Sequence, residues 1–199
     1  MPVPPRTRMT GADRREQLID TTRDLVEEQG FHAVSIDAVA RRAGITRPVV
    51  YDHFPTLSAL LDATLDRETA RALGQLVASL PAPGAADRNE LLLRRLEAYL
   101  DVVRADPVTW RLVLMPPEGA PLSLRERITA GRRAIVAELA EVMRPERSPE
   151  GASPDPELTA QMLSALADEA ARLVLTDPAG YPVTRLMANA RWMLGQAAG

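Results

Sequence analysis

Apolar positions along the chain recur every three or four residues from Thr10 onward, and no segment alternates with the period of two that a half-buried strand requires. The pattern therefore predicts an all-α protein. Thr10 with Asp13 opens a first helix running to about Gln29, with Leu18, Ile19, Thr22, Leu25 and Val26 as its buried stripe and Gly30 as its stop. Phe31 and Val34 fill the join to the next element, and His32 reads as a surface or boundary residue. Thr56 caps a long helix to about Leu80 that carries Leu57, Leu60, Leu61, Leu65, Leu73, Leu76 and Val77 on its apolar face. Pro81 to Ala86 reads as a linker. Beyond it, Asp87 with Glu90 forms a capping pair ahead of Leu92, Leu96, Tyr99, Leu100 and Val103. Pro107 starts a short helix over Val108 to Met115. Ser123 with Glu126 gives a second capping box before Leu124, Ile128, Ile135, Leu139 and Val142. The Pro-rich, charged run from Arg144 to Pro156 reads as an exposed loop, and two further helices span about 156–176 and 182–196.

The stretch from Val34 to Leu60 has the spacing of a helix-turn-helix. Ser35 stands at an N-cap position. Ile36, Val39, Ala40 and Ala43 then form one stripe, whose small alanines let a second helix cross close by. Gly44 occupies the place where a chain leaves a helix in the left-handed conformation, and Ile45 is expected as a buried plug in the turn. Thr46 or Arg47 caps the next helix, and Pro48 fits its first turn, where a missing N–H costs nothing. On that helix Val50 faces inward, while Arg47, Pro48, Val49 and Tyr51 line the leading face. Such a unit presents its second helix to the major groove of double-stranded DNA. Arg47 can give two hydrogen bonds to a guanine, and Pro48 and Val49 can make apolar contacts to a thymine methyl. The hydroxyls of Ser35, Thr46 and Tyr51 suit phosphate oxygens, which set register. Asp52 would repel phosphate unless it points away or accepts from a cytosine amino group. His53, at the end of the reading helix, takes a structural or phosphate-facing role.

These residues resemble the TetR family of bacterial transcriptional regulators. The resemblance is carried by Ala40 to Gly44, by Ile45-Thr46-Arg47-Pro48, by Tyr51-Asp52-His53-Phe54 and by Leu60, about 30 residues in all. It departs from the family pattern at Leu57, where a phosphate-touching lysine usually stands. The resemblance implies a DNA-binding domain over 10–55 and a larger helical domain over 56–199 that binds an effector and dimerises.

Composition adjusts this picture without overturning it. The chain has 199 residues, 46% hydrophobic but only 4% aromatic, so its core is built chiefly of Leu, Val and Ala. A net charge of −3 is the opposite sign to that of most DNA binders. Distribution matters more than the sum, however. Arg6, Arg8, Arg14 and Arg15 cluster at the start, Arg41, Arg42 and Arg47 lie in the reading unit, and the excess of acid falls after Phe54. No run approaches the ~18–20 apolar residues of a membrane span, and no apolar run follows the N-terminal arginines as a secretory signal would need. No membrane association and a cytoplasmic location are the expectation. With no cysteine, two histidines and no phosphate-loop or nucleophile motif, the sequence offers no catalytic constellation, no metal site and no cofactor.

The last two predicted helices are apolar on more than one face. Met162, Leu166 and Leu173 lie on one side of the first, and Leu163, Ala170 and Val174 on another. The final helix carries Val183, Leu186, Met187, Ala190, Met193 and Leu194. A pair too apolar for one side expects a second partner, and the resemblance implies a homodimer through these helices. It also implies a small-molecule effector among the middle helices, with Tyr99, Val103, Trp110, Leu114, Met115 and Leu139 as candidate lining residues. A repressor released from a palindromic operator is the reading that results. The competing reading is a helical scaffold or protein-interaction dimer that has lost specific DNA binding, as Leu57 and Asp52 would allow.

Overall fold

The computed structural model describes residues 9–81, 87–116, 119–144 and 155–197. Among these the chain is helical and has no strand. In order, its helices are α1 (Gly11–Gln29), α2 (Ile36–Ala43), α3 (Arg47–His53), α4 (Leu57–Ser79), α5 (Arg88–Ala105), α6 (Pro107–Leu114), α7 (Leu122–Met143), α8 (Pro156–Thr176) and α9 (Val183–Ala197), with a single 3-10 turn at Phe31–Ala33. The loop expected from Arg144 to Pro156 and the linker at 81–86 fall mostly outside the described residues. No described helix is long and apolar enough to cross a membrane.

Two compact units divide the chain, one ending at Glu68 and including the segment that ends at Ser123, the other formed by Thr69–Pro116 and the chain from Leu124 onward. In the first unit, α1 packs on α2 and α3. Leu18, Ile19, Val39, Val50, Leu60 and Leu65 are its most deeply buried apolar residues, each at most 1% exposed. Burial of that kind supplies most of the driving force, since short helices such as α2 and α3 are marginal alone in water. Arg67 of α4 also grips α1, with Nη1 at 3.1 Å from Glu16 and Nη2 at 2.8 Å from Asp20. The same guanidinium pairs with Glu68, whose side chain is fully buried. A carboxylate buried that deeply needs such a partner.

In the second unit α5 packs on α6, α8 and α9, and α6 packs on α8. Its core holds Ala72, Leu76, Tyr99, Leu100, Val103, Trp110, Leu114, Ala171, Val174, Leu175 and Met187.

Four local expectations need correction. Asp87 precedes α5 but its side chain makes no capping bond, and Glu90 pairs with Arg94 one turn on, Nε to Oε1 at 2.8 Å. Ser123 does not cap α7, which already begins at Leu122; its hydroxyl donates to Asp62 Oδ1 at 3.1 Å. On α4, Leu76 is buried as expected, but Leu73 and Val77 are exposed, at 43% and 60%, because the helix turns Ala72 to the core in their place. Ile45 is half-buried, not a sealed plug.

Candidate nucleic-acid interface

The reading unit is assembled from short-range signals that each satisfy a backbone group. Thr10 and Asp13 form a reciprocal capping box at the start of α1. The Ser35 hydroxyl accepts from the Ala38 N–H at 3.1 Å and starts α2. At the other end, Gly44 has φ 68°, a conformation in which a side chain is strained. Its N–H reaches the Arg41 carbonyl at 3.3 Å, and the Ile45 N–H reaches the Ala40 carbonyl at 3.0 Å. That pair of bonds is a Schellman closure, and it turns the chain sharply into α3. Thr46 is the extended N-cap of α3, and Pro48 sits in the first turn where no donor is needed. Val50 then anchors α3 at 0% exposure, and Phe54 closes its end at 3%.

Anchoring through Val50 leaves the opposite side of α3 in solvent. Arg47, Pro48, Tyr51 and Asp52 are exposed, and Val49 and His53 are half-buried. The Thr46 hydroxyl is exposed and makes no capping bond. Ser35 is exposed too; its oxygen accepts the cap bond, and its hydroxyl hydrogen is left to donate. Arg47 has a polar neighbour on each side. The Tyr51 hydroxyl and the Asp37 carboxylate together hold its guanidinium above its ordinary value. The Nε to Asp37 Oδ1 distance is 3.3 Å. His53 lies against the start of α1, where a Cβ placed on Gly11 would sit 3.9 Å from its Cε1.

Not every arginine in this unit is available to an anion. Both terminal nitrogens of Arg42 are taken by the two carboxylate oxygens of Glu28. That bond, ahead of desolvation, holds the Glu28 carboxyl below its ordinary value. Arg15 lies over the Phe54 ring, 4.9 Å from its centroid. Leu57, where a cation was expected from the family pattern, is half-buried at the start of α4.

Sequence reasoning brought Arg47, Tyr51 and Thr46 to one surface and missed Asp37. No sequence signal links positions 37 and 47 directly. Only the crossing of α2 and α3 puts them together.

The candidate effector residues lie in the second unit. Tyr99, Val103, Trp110 and Leu114 share its packed core, while Leu139 is half-buried and Met115 is exposed. Tyr99 and Trp110 meet edge to face, 5.3 Å between centroids. Their polar atoms are satisfied within the protein. The Tyr99 hydroxyl donates to Asp168 Oδ1 at 3.0 Å, and Arg132 pairs with the same carboxylate. Burial pushes that hydroxyl well above its usual range. Trp110 Nε1 donates to Gln75 Oε1 at 3.0 Å. An open groove of 490 Å³ belongs to the other unit, and its lining of Arg15, Glu16, Asp62, Asp66 and Arg67 suits solvent more than an apolar effector.

Comparison with known proteins points the same way as the geometry. Residues 18–64 match the model of the bacterial regulatory proteins of the tetR family. The chain is 29% identical over 106 residues to the HTH-type transcriptional activator FasR of Mycolicibacterium smegmatis, covering 53% of this chain and 48% of that protein. It therefore spans about half the length of FasR. It is 29% identical over 177 residues to the HTH-type transcriptional regulator EthR of the same organism, covering 81% of this chain and 79% of that one. Its fold is similar to that of the transcriptional regulator FadR from Bacillus subtilis in complex with stearoyl-CoA, with a TM-score of 0.66 at 17% identity, over 90% of this chain and 96% of that one. Over residues 18–64 the chain thus carries the helix-turn-helix of the tetR family of bacterial regulatory proteins.

Proposed function

We propose that the protein is a sequence-specific, double-stranded-DNA-binding transcriptional regulator that acts as a homodimer and responds to a small-molecule effector. The observation that carries this reading is the α2–turn–α3 unit. Val50 and Phe54 bury one side of α3, while Arg47, Pro48 and Tyr51 stand in solvent on the other. An exposed arginine at the N-terminal end of a reading helix is the arrangement that contacts guanine O6 and N7. Val49 completes the base-facing set, and Ser35, Thr46 and Tyr51 supply hydroxyl donors to phosphates. His53 supports α3 against α1. In this reading residues 10–55 hold the DNA, and residues 56–199 hold the partner subunit and the effector.

Support for the dimer comes from α8 and α9. Leu158, Met162 and Leu166 repeat at four-residue intervals along α8 and are 56%, 59% and 52% exposed; Trp192 and Met193 on α9 are 64% and 42% exposed. Exposed apolar residues on two helices fit a second copy of the chain, packed as an antiparallel or crossed helix pair. Two reading units related by a two-fold axis then select a palindrome with half-sites about one DNA turn, ~34–36 Å, apart or somewhat more.

The effector is an apolar or amphipathic small molecule held by the second unit, as the long-chain acyl ligand in the FadR structure supports. Binding must favour the conformation that does not fit the operator, since equal affinity for both states shifts nothing. We place it near Tyr99, Val103, Trp110, Leu114, Met115 and Leu139. Repression relieved by the effector is the direction proposed, and the name of FasR as an activator makes direction a quantity to measure.

The test is selection of bound duplexes from a random DNA pool with the purified protein, followed by salt titration of the recovered site. A regulator recovers a palindrome, and log K falls with log salt by about 0.9 per phosphate contact. Recovery of no preferred sequence, with binding insensitive to salt, leaves the scaffold reading standing in its place.

A further inference from the structure

Asp37, like Asp52, is an acid of the reading unit that no phosphate contact calls for. It is the second residue of α2, with its side chain 60% exposed, and it pairs with Arg47 Nε at 3.3 Å. Arg47, the first residue of α3, is 57% exposed. An ion pair this open to water adds little to folding stability. A carboxylate on a phosphate-facing surface also opposes binding to any duplex. Neither stability nor general affinity therefore accounts for the pair.

Its geometry does something else. A guanidinium carries five N–H donors, of which Nε holds one and the terminal nitrogens the rest. Asp37 pairs with the guanidinium at Nε. The long side chain is thus restrained from α2, with its terminal nitrogens left over to form a two-bond contact to a base edge.

We infer that Asp37 is a positioning and specificity-determining residue: it orients Arg47 for base reading while its charge weakens binding to unselected DNA. This rests on the DNA-binding reading above. Ordering Arg47 in the free protein removes part of the entropy that binding would otherwise cost, and the benefit appears only where the correct base is met. The carboxylate penalises every sequence alike. Together the two effects widen the gap between right and wrong sites, which is what specificity measures.

The experiment measures binding by fluorescence anisotropy to two probes. One is the duplex recovered by selection with the wild-type protein, and the other is the same duplex with the G·C pairs of its half-sites replaced by A·T. The proteins are wild type, Asp37→Ala, Asp37→Asn, Arg47→Ala and the Asp37→Ala/Arg47→Ala double variant, with thermal melts setting the folded fraction of each. Asp37→Ala is expected to bind the altered duplex more tightly than wild type, while its preference for the selected duplex falls about three-fold, part of the way towards that of Arg47→Ala. Asp37→Asn, which keeps an acceptor for Nε but no charge, retains most of the preference and still gains background affinity. In the Arg47→Ala background, Asp37→Ala leaves the preference unchanged, a result that loss of α2 stability alone would not give.

An unchanged preference in Asp37→Ala overturns the inference, as does a fall of equal size in the Arg47→Ala background. If Arg47→Ala keeps the wild-type preference, base reading lies elsewhere and this inference alone is lost. If wild type selects no duplex, the DNA-binding reading fails and takes the inference with it.

Discussion

Asp106 shows how single residues set the acid stability of the second unit. Desolvation pushes its carboxyl up, but hydrogen bonds from Gln75 and Arg71 outweigh burial and hold it below its ordinary value of 3.8. Gln75 Nε2 donates to Oδ2 at 2.7 Å, Arg71 Nε at 2.6 Å, and Gln75 in turn accepts from Trp110. A depressed carboxyl contributes stability that is fully present above its unfolded value and is lost as pH falls through its lower folded value. Asp106→Asn is therefore expected to lower the urea midpoint near neutral pH, and the gap from wild type to close as the solution is taken below about pH 4. A gap that stays constant from pH 6 to pH 3 would show that the charge of Asp106 is not what matters. Trp110 and Tyr99 teach a related lesson. Their type and spacing marked them as pocket residues, but a buried aromatic with its polar atom satisfied inside the protein is also what an ordinary core contains.

Among the helices, the parts read correctly from sequence are those whose cause lies within three or four residues. The Thr10–Asp13 box, the Ser35 cap and the Gly44 exit are all of this kind. Where the same letters failed, another partner had intervened: Ser123 turns to Asp62, far off in sequence, and Glu90 turns outward to Arg94 one turn on. The Asp37–Arg47 pair was invisible for the same reason, since it depends on how two helices cross. The face of α4 was misread because Leu73 and Val77 share the type but not the phase of the residues that are buried. Gly44 offers a clean test at this scale. No atom lies within 4 Å of where its Cβ would be, so Gly44→Ala meets no clash, only the strain of a left-handed backbone. The expected cost is about 1 kcal/mol in unfolding free energy, read from urea denaturation. A change near zero would mean the turn relaxes out of its positive φ, and a Schellman closure would no longer explain the α2–α3 angle.

For the whole molecule, a single reading unit of eight-residue and seven-residue helices makes too few base contacts to find one site in a genome. In the proposed dimer, the exposed faces of α8 and α9 are covered by a second copy. Met162→Glu together with Trp192→Glu is expected to yield a folded monomer by sedimentation equilibrium, with affinity for a palindromic duplex reduced by more than a hundred-fold and half-site binding retained. Persistence of a dimer in that variant would place the interface elsewhere. The fold class was legible because a 3.6-residue rhythm runs from Thr10 to the last helix. The proposed partner and effector were not, because a face open to solvent and a packed aromatic cluster carry no label of what meets them. The measurement that bears most directly on the account is the salt dependence of binding to the duplex selected from a random pool, beside a scrambled duplex of the same composition. The account predicts a palindromic site preferred by at least about a thousand-fold, with log K falling linearly against log salt at a slope of several times 0.9. Equal binding to both duplexes, or a slope near zero, would contradict it.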